Sequence, residues 1–202
     1  MSTVPIPTYT PEQYLERERR AQTKSQYYRG EIFAMSGASR EHILIAGNLH
    51  AALHNALRDR PCEVYTSDLR VKVQQSGLYT YPDVTVACGE PKFEDKHVDT
   101  LLNPLVLIEV LSESTEAYDR GAKSAQYRKL PSLRELVLVS STGIQVEHYH
   151  RGEDGQWGFW ETSDKTASLA LTSVDITVPL EEIYRRVEFP PVSPATSETG
   201  TP

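Results

Sequence analysis

Asp83, in Tyr81-Pro82-Asp83-Val84-Thr85-Val86, and Glu109, in Leu107-Ile108-Glu109-Val110-Leu111, each open or interrupt a β-branched, apolar run that otherwise reads as buried strand. A carboxylate buried alone costs several kcal/mol, so the pair calls for a cation, and one metal ion would compensate both. A basic segment follows a few residues on: Tyr118-Asp119-Arg120-Gly121-Ala122-Lys123-Ser124-Ala125-Gln126-Tyr127-Arg128-Lys129-Leu130. Acid, acid and lysine in that order are the parts of a metal-dependent phosphodiester hydrolase. Carboxylate oxygens suit Mg²⁺ or Mn²⁺, which lowers the pKa of its bound water and neutralises developing charge, while an ammonium orients the attacking water. A buried, salt-bridged pair is the structural alternative for the two acids.

Positioning these groups requires a folded domain, and 202 residues with 39% hydrophobic and 24% charged side chains suffice for one. No apolar run approaches the roughly 20 residues of a membrane span, and Met1-Ser2-Thr3-Val4-Pro5-Ile6-Pro7 lacks the basic start and apolar stretch of a secretory signal. A cytoplasmic protein with no membrane partner is expected. Cys62 and Cys88 have no CxxC companion and are expected to be reduced core thiols. The net charge of −7 argues against a non-specific polyanion binder. Residues 117 to 134 nevertheless carry five basic side chains (Arg120, Lys123, Arg128, Lys129, Arg134) against Asp119, a local charge of +4, which a solvated helix face would also explain.

Thr10-Pro11-Glu12-Gln13 spells a capping box and predicts a helix to about Ala21; Tyr27 to Met35 predicts two short strands meeting near Gly30. Ser39 heads a helix over roughly 40 to 59, with Ile43, Ala46, Leu49, Leu53, Ala56 and Leu57 as its core stripe. On that helix His50 and His54 have the i, i+4 spacing of a zinc pair, but no third ligand and no HExxH motif accompany them. Strands are expected over Glu63 to Val73, Tyr79 to Cys88 and Leu105 to Leu111. The basic helix then ends at Pro131-Ser132, and Leu133 to Ser140, Ile144 to His150 and Trp157 to Trp160 read as further strands. A short helix over Leu180 to Val187 closes a single domain of residues 1–189. Residues 190–202, rich in Pro, Ser and Thr, have the composition of a disordered tail.

The order of elements, with Pro82-Asp83 opening one core strand and Glu109 inside the next, resembles the PD-(D/E)XK (restriction-endonuclease-like) nuclease superfamily. Within it the chain resembles the Uma-two family of restriction-endonuclease-like proteins. The resemblance is carried by Gly30-Glu31-Ile32 with Met35-Ser36-Gly37-Ala38-Ser39 and His42; by Val64 to Val71; by Tyr81-Pro82-Asp83-Val84; and by Ile108 to Ser112 with Ser114 to Lys123. It spans about residues 8 to 189 and implies an α/β (mixed α+β) fold: an αβββαβ core with a mixed central sheet, an N-terminal helix and hairpin, and C-terminal hairpin additions. It also implies a Mg²⁺- or Mn²⁺-dependent endonuclease acting on DNA, with Asp83 and Glu109 as metal ligands. The superfamily lysine would fall two residues after Glu109, where Leu111 stands; Lys123 is the candidate to substitute for it, as in branches whose lysine has moved to the following helix, against a plain exposed helix lysine. Lys123, Tyr127 and Leu130 at i, i+4, i+7 would carry it towards the sheet.

Three more residues are candidates for the cleft. Glu31 follows the hairpin turn and stands as a further catalytic acid against a plain turn glutamate. Asp68 stands as a site residue against a structural pair with Arg70 or a loop amide, and His42 as a cleft residue against a helix cap. Two other functions fit the same residues: a catalytically weak nucleic-acid-binding or accessory protein on a nuclease fold, and a metal-free acid and base pair acting on a sugar. A homodimer is left open. Truncation after Phe189 is expected to leave the melting temperature unchanged, since the tail lacks the apolar periodicity to offset its ordering entropy; a fall of several degrees in a thermal melt would show that it docks.

Overall fold

The computed structural model describes residues 7–35 and 37–189, so the tail from Pro190 lies outside the described residues. The Gln13 amide donates to Thr10 Oγ1 at 3.3 Å and the Thr10 amide to Gln13 Oε1 at 2.9 Å, so the predicted capping box starts helix α1 (Pro11–Glu18). The helix stops short of Ala21, and its last residue turns its carboxylate inward to accept the amide and hydroxyl of Ser25. Strands β1 (Ser25–Tyr28) and β2 (Glu31–Ala34) form the expected hairpin through Arg29 and Gly30, both at positive φ (50° and 91°). Ser39 Oγ accepts the His42 amide at 3.2 Å and heads helix α2 (Arg40–Leu57). Its buried row is Ile45, Leu49, Leu53 and Leu57, whereas Ile43 is 61% exposed, lying about 200° around the helix from Ile45. Ala56, also expected in the stripe, is exposed.

Two of the long strands expected from sequence are each broken and shared between two sheets. Ser67-Asp68-Leu69 separates β3 (Cys62–Thr66) from β4 (Arg70–Val73), and Tyr81-Pro82-Asp83 separates β5 (Leu78–Thr80) from β6 (Val84–Cys88). Pro82 has no N–H to give to a ladder, which fits it for the seam and not for a strand interior. Strand β7 (Thr100–Leu101) completes a sheet of order β2-β1-β5-β4-β7. The larger sheet adds β8 (Val106–Leu111), β9 (Glu135–Ser140), β10 (Val146–Arg151) and β11 (Trp157–Thr162), in the order β11-β10-β9-β8-β6-β3. Only β8 and β9 run parallel within it, so this central sheet is mixed, as expected. A parallel pair needs a crossover. Here it is made by α3 (Glu116–Tyr118), a π turn over Asp119–Lys123 and α4 (Ser124–Tyr127), where the sequence predicts one continuous helix. A hairpin of β12 (Ser168–Leu171) and β13 (Ile176–Pro179) and the short helix α5 (Leu180–Ile183) close the described chain.

Strand β8 sits between two apolar layers because its side chains alternate. Ile108 and Val110 face α2 and α5, packing with Ile45, Leu49 and Ile183, while Leu107 and Leu111 face Tyr127, Leu130 and Leu133 around the crossover. Cys62 and Cys88 are directly opposite in the β3–β6 register, with Cα atoms 4.0 Å apart, and are joined in a disulfide rather than standing as reduced thiols. A spacing of 26 residues carries no hint of that register.

The smaller sheet is tied to α1 through a buried guanidinium. Arg70 donates to Tyr81 Oη at 2.7 Å and Thr100 Oγ1 at 3.0 Å and lies 3.1 Å from Asp99 Oδ2. Arg19 clasps Asp99 from the other side at 2.7 Å, and Tyr81 donates to Glu18. The hydrogen bond from Arg19 holds the Asp99 carboxyl well below its ordinary value of 3.8, with partial burial opposing and Arg70 assisting. A depressed folded-state pKa contributes stability above the unfolded value that is lost as pH falls through the folded one. Asp99→Asn is therefore expected to lower the melting temperature at neutral pH and to flatten its decline under acid; parallel pH profiles for the two proteins would show that Asp99 is not linked to folding.

Candidate active site

The seam between the sheets and the crossover helix meet at two carboxylates. Val84 pairs with Ile108 across β6 and β8, so the same antiparallel register puts Asp83 opposite Glu109. Asp83 is anchored from two elements: its Oδ2 accepts the Val110 amide at 2.7 Å, and its Oδ1 lies 2.9 Å from His42 Nε2 on the first turn of α2. Burial alone would lower the His42 pKa, but the hydrogen bond to Asp83, aided by the charges of Asp83, Glu109 and Asp119, raises it. His42 Nδ1 is buried without a hydrogen-bond partner among the described residues.

Glu109 is 4% exposed and engaged on both oxygens. Tyr127 donates to Oε1, and Lys123 Nζ lies 2.9 Å from Oε2. Lys123 is itself 6% exposed and also contacts Asp119 Oδ1 at 3.0 Å, one turn back. Burial pushes the Glu109 carboxyl up to about 7, with Lys123 opposing and Asp83 adding to the rise. Burial also works against the Lys123 ammonium, but Glu109 and Asp119 outweigh it and hold its pKa above the ordinary lysine range. The Tyr127 hydroxyl is pushed far up by burial and then by Glu109, so it remains a donor. Asp119, Lys123 and Tyr127 at i, i+4 and i+8 face the sheet together. The π turn beneath them is a rare geometry often found at functional sites.

Asp83, Glu109, Lys123 and His42 thus come together. Glu31 and Asp68 make no hydrogen bond or ion pair with any of these four among the described residues. Glu31 opens β2 opposite Tyr28 at the hairpin turn and makes no ion pair among the described residues. Asp68 is an 86% exposed side chain at the β3–β4 break that pairs with Lys24 at 2.9 Å, not with Arg70. Asp119 and Tyr127 are partners that sequence reasoning left out of the site. The signal was their spacing of four residues on either side of Lys123.

Whether a divalent cation fits can be judged from the donors. Among the described residues no three His, Cys, Asp or Glu side chains converge as a protein cage. Mg²⁺ asks for less, since it commonly keeps several waters and takes one or two carboxylates plus substrate phosphate. Each carboxylate oxygen of Asp83 and Glu109 has one protein partner and a second lone pair to offer. The two acids fit.

A mixed central sheet flanked by helices, with a parallel pair of strands joined by a helical crossover, is the restriction-endonuclease-like fold class. The chain belongs to the Uma2 family, described as "Putative restriction endonuclease", whose pattern matches residues 11–181. Among proteins similar to it, uncharacterized protein slr1290 of Synechocystis sp. is 38% identical over 189 residues, covering 93% of this chain and 97% of that one. Uncharacterized protein sll1609 of the same organism is 36% identical over 167 residues, covering 83% and 94%. A crystal structure described as a putative nuclease belonging to DUF820, from Anabaena variabilis, matches the fold with a TM-score of 0.72 at 15% identity, over 87% of this chain and 97% of that one.

Replacing Lys123 by Met would leave Glu109 and Asp119 buried without their cation. In the metal-free protein it is expected to cost roughly 3–5 kcal/mol. Tyr127→Phe removes one hydrogen bond to a charged group, about 1.5–3 kcal/mol. Urea unfolding measures both; a Lys123→Met cost no larger than that of a surface lysine would show the ion pair is not formed in solution.

Proposed function

We propose that this protein is a metal-dependent endonuclease that hydrolyses phosphodiester bonds of DNA at the Asp83–Glu109 site. The observation that carries the reading is the Lys123 ammonium 2.9 Å from Glu109, delivered by the crossover helix to the neighbourhood where the superfamily places its lysine. Leu111, which occupies the usual lysine position, is buried against the crossover and cannot supply a charge.

In this reading Asp83 and Glu109 would hold Mg²⁺ or Mn²⁺, which when bound would supply an acidified water and a positive field at the scissile phosphate. His42 and the Val110 amide fix the Asp83 carboxylate so that its oxygens stay oriented. Lys123, kept cationic by its two acids, orients the attacking water and stabilises the negative charge that builds on the phosphoryl oxygens. Tyr127 fixes the other Glu109 oxygen. A second reading, a nucleic-acid-binding protein on the same fold without turnover, draws on Leu111 and on the one protein partner that each carboxylate oxygen already has.

The test is Mn²⁺ calorimetry together with plasmid cleavage, at a temperature where all variants are folded. Asp83→Asn and Glu109→Gln are expected to lose Mn²⁺ affinity and cleavage together. Lys123→Ala is expected to keep most of the metal affinity and lose about two to four decades of turnover. Unchanged Mn²⁺ affinity in both carboxylate variants would remove the metal site. A wild-type protein that binds Mn²⁺ and never cuts would favour the second reading.

A further inference from the structure

The basic side chains of the crossover divide into two groups. Arg120 is consumed within the fold, paired with Glu116 and Glu147, and Lys123 belongs to the carboxylate site. Arg128, Lys129 and Arg134 instead gather at the far end of the crossover, and the chain returns there a fourth cation from β10. The Arg151 amide donates to the Arg134 carbonyl, and its guanidinium donates to the carbonyls of Arg128, Leu130 and Pro131. None of these four side chains has a carboxylate within 4.0 Å among the described residues, although ten of the chain's other lysines and arginines do. Their like charges meet uncompensated: burial first, and then Arg134, lower the pKa of Arg151.

Aromatic rings are interleaved with this charge. The Arg128 guanidinium lies 5.6 Å from the Tyr149 ring centroid, and that of Arg151 lies 4.7 Å from the centroid of Trp157. Tyr149 packs on Phe159, its cross-strand partner, at 4.9 Å, and Phe159 is 52% exposed. The acids of the same sheet face, Glu147 and Glu161, are at the other end of the β10–β11 pair, and Arg120 holds Glu147. Cations with no carboxylate within 4.0 Å, although Glu153 and Asp154 lie in the adjoining turn, set among the half-buried rings of Tyr149 and Trp157 and the exposed ring of Phe159, match a chain of phosphates carrying stackable bases better than they match an acidic peptide.

The patch lies on the same side of the central sheet as the carboxylate site. Tyr149 and Trp157 pack on the same apolar layer as Leu107 and Leu111, the face of β8 from which Glu109 projects. Arg134 donates its amide to the Leu105 carbonyl, four residues before Glu109. That is about 13 Å of strand, or roughly four nucleotides at about 3.4 Å of axial rise each. We propose that Arg128, Lys129, Arg134 and Arg151, with Tyr149 and Trp157, form an anchoring surface for the nucleic-acid strand on one side of the scissile bond. The inference rests on the nuclease reading for its partner, and it is tested without cleavage.

The experiment uses the full chain in excess chelator and follows the fluorescence anisotropy of a labelled DNA strand across a salt series. The double variant Lys129→Gln with Arg134→Gln changes two exposed side chains and leaves the structural donor Arg151 in place. It is expected to bind about tenfold more weakly at low salt and to reduce the slope of log K against log salt by about 1.4 on single strands or 1.8 on duplex. Arg58→Gln with Lys165→Gln removes the same charge from exposed positions elsewhere and is expected to leave the slope alone. Equal slopes for the two double variants would overturn the anchoring surface. So would a wild-type protein that ignores DNA, or one that prefers anionic lipid vesicles or an acidic peptide to it. Loss of Mn²⁺-dependent cleavage with the expected binding pattern intact would sink the catalytic reading and leave this surface standing.

Discussion

The structure around the candidate site depends on one buried ammonium. Glu109 and Asp119 are both nearly inaccessible, and each would be untenable in an apolar layer without Lys123 between them. The packing that brings Lys123 in is hydrophobic. Tyr127, Leu130 and Leu133 press the crossover onto Leu107, Leu111, Leu136 and Leu138, and the ammonium travels with them. Burial therefore strengthens the very interaction that makes burial of the charges possible. Asp83 is set by other means, a backbone amide of β8 and an imidazole of α2, so that three elements of the fold converge on two acids.

The division of charged groups between architecture and chemistry is sharp. Arg70, Arg19 and Asp99 form a closed set in which the charges are answered by protein partners, and they fasten the smaller sheet to α1. The carboxylate site retains spare lone pairs, and His42 Nδ1 beside it, like one Arg70 nitrogen in the other set, is buried without a hydrogen-bond partner among the described residues.

Asp83 and Glu109 were legible in the sequence because each breaks an apolar pattern that had no structural reason to admit a charge, whereas Lys123, inside a basic segment, was picked out by the family resemblance and its helical spacing to Tyr127 and Leu130. The helix starts at Thr10 and Ser39 and the hairpin at Gly30 were legible because caps and tight turns have local chemistry. The strand breaks were not. Period-two patterning continues through Ser67-Asp68-Leu69 and Tyr81-Pro82-Asp83, so one run of residues serves two sheets without a change of rhythm. Asp68 looked enclosed for the same reason and is in fact exposed at the break, paired with Lys24. The Cys62–Cys88 pairing and the arrival of Arg151 beside Arg134 depend on register between distant segments, which no local signal records.

The π turn from Asp119 to Lys123 has a consequence for how such a site can vary among relatives. A lysine held on a strand is tied to its acid by the two-residue rhythm of that strand, whereas here a loop and a widened helical turn set the phase. Each residue gained or lost before Lys123 would swing the ammonium by about 100° about the helix axis, away from Glu109. Side chains on the outer surface of the segment are free to drift. The number of residues between Glu109 and Lys123 is fixed by this geometry, so length, more than identity, is what the site asks of this stretch of chain.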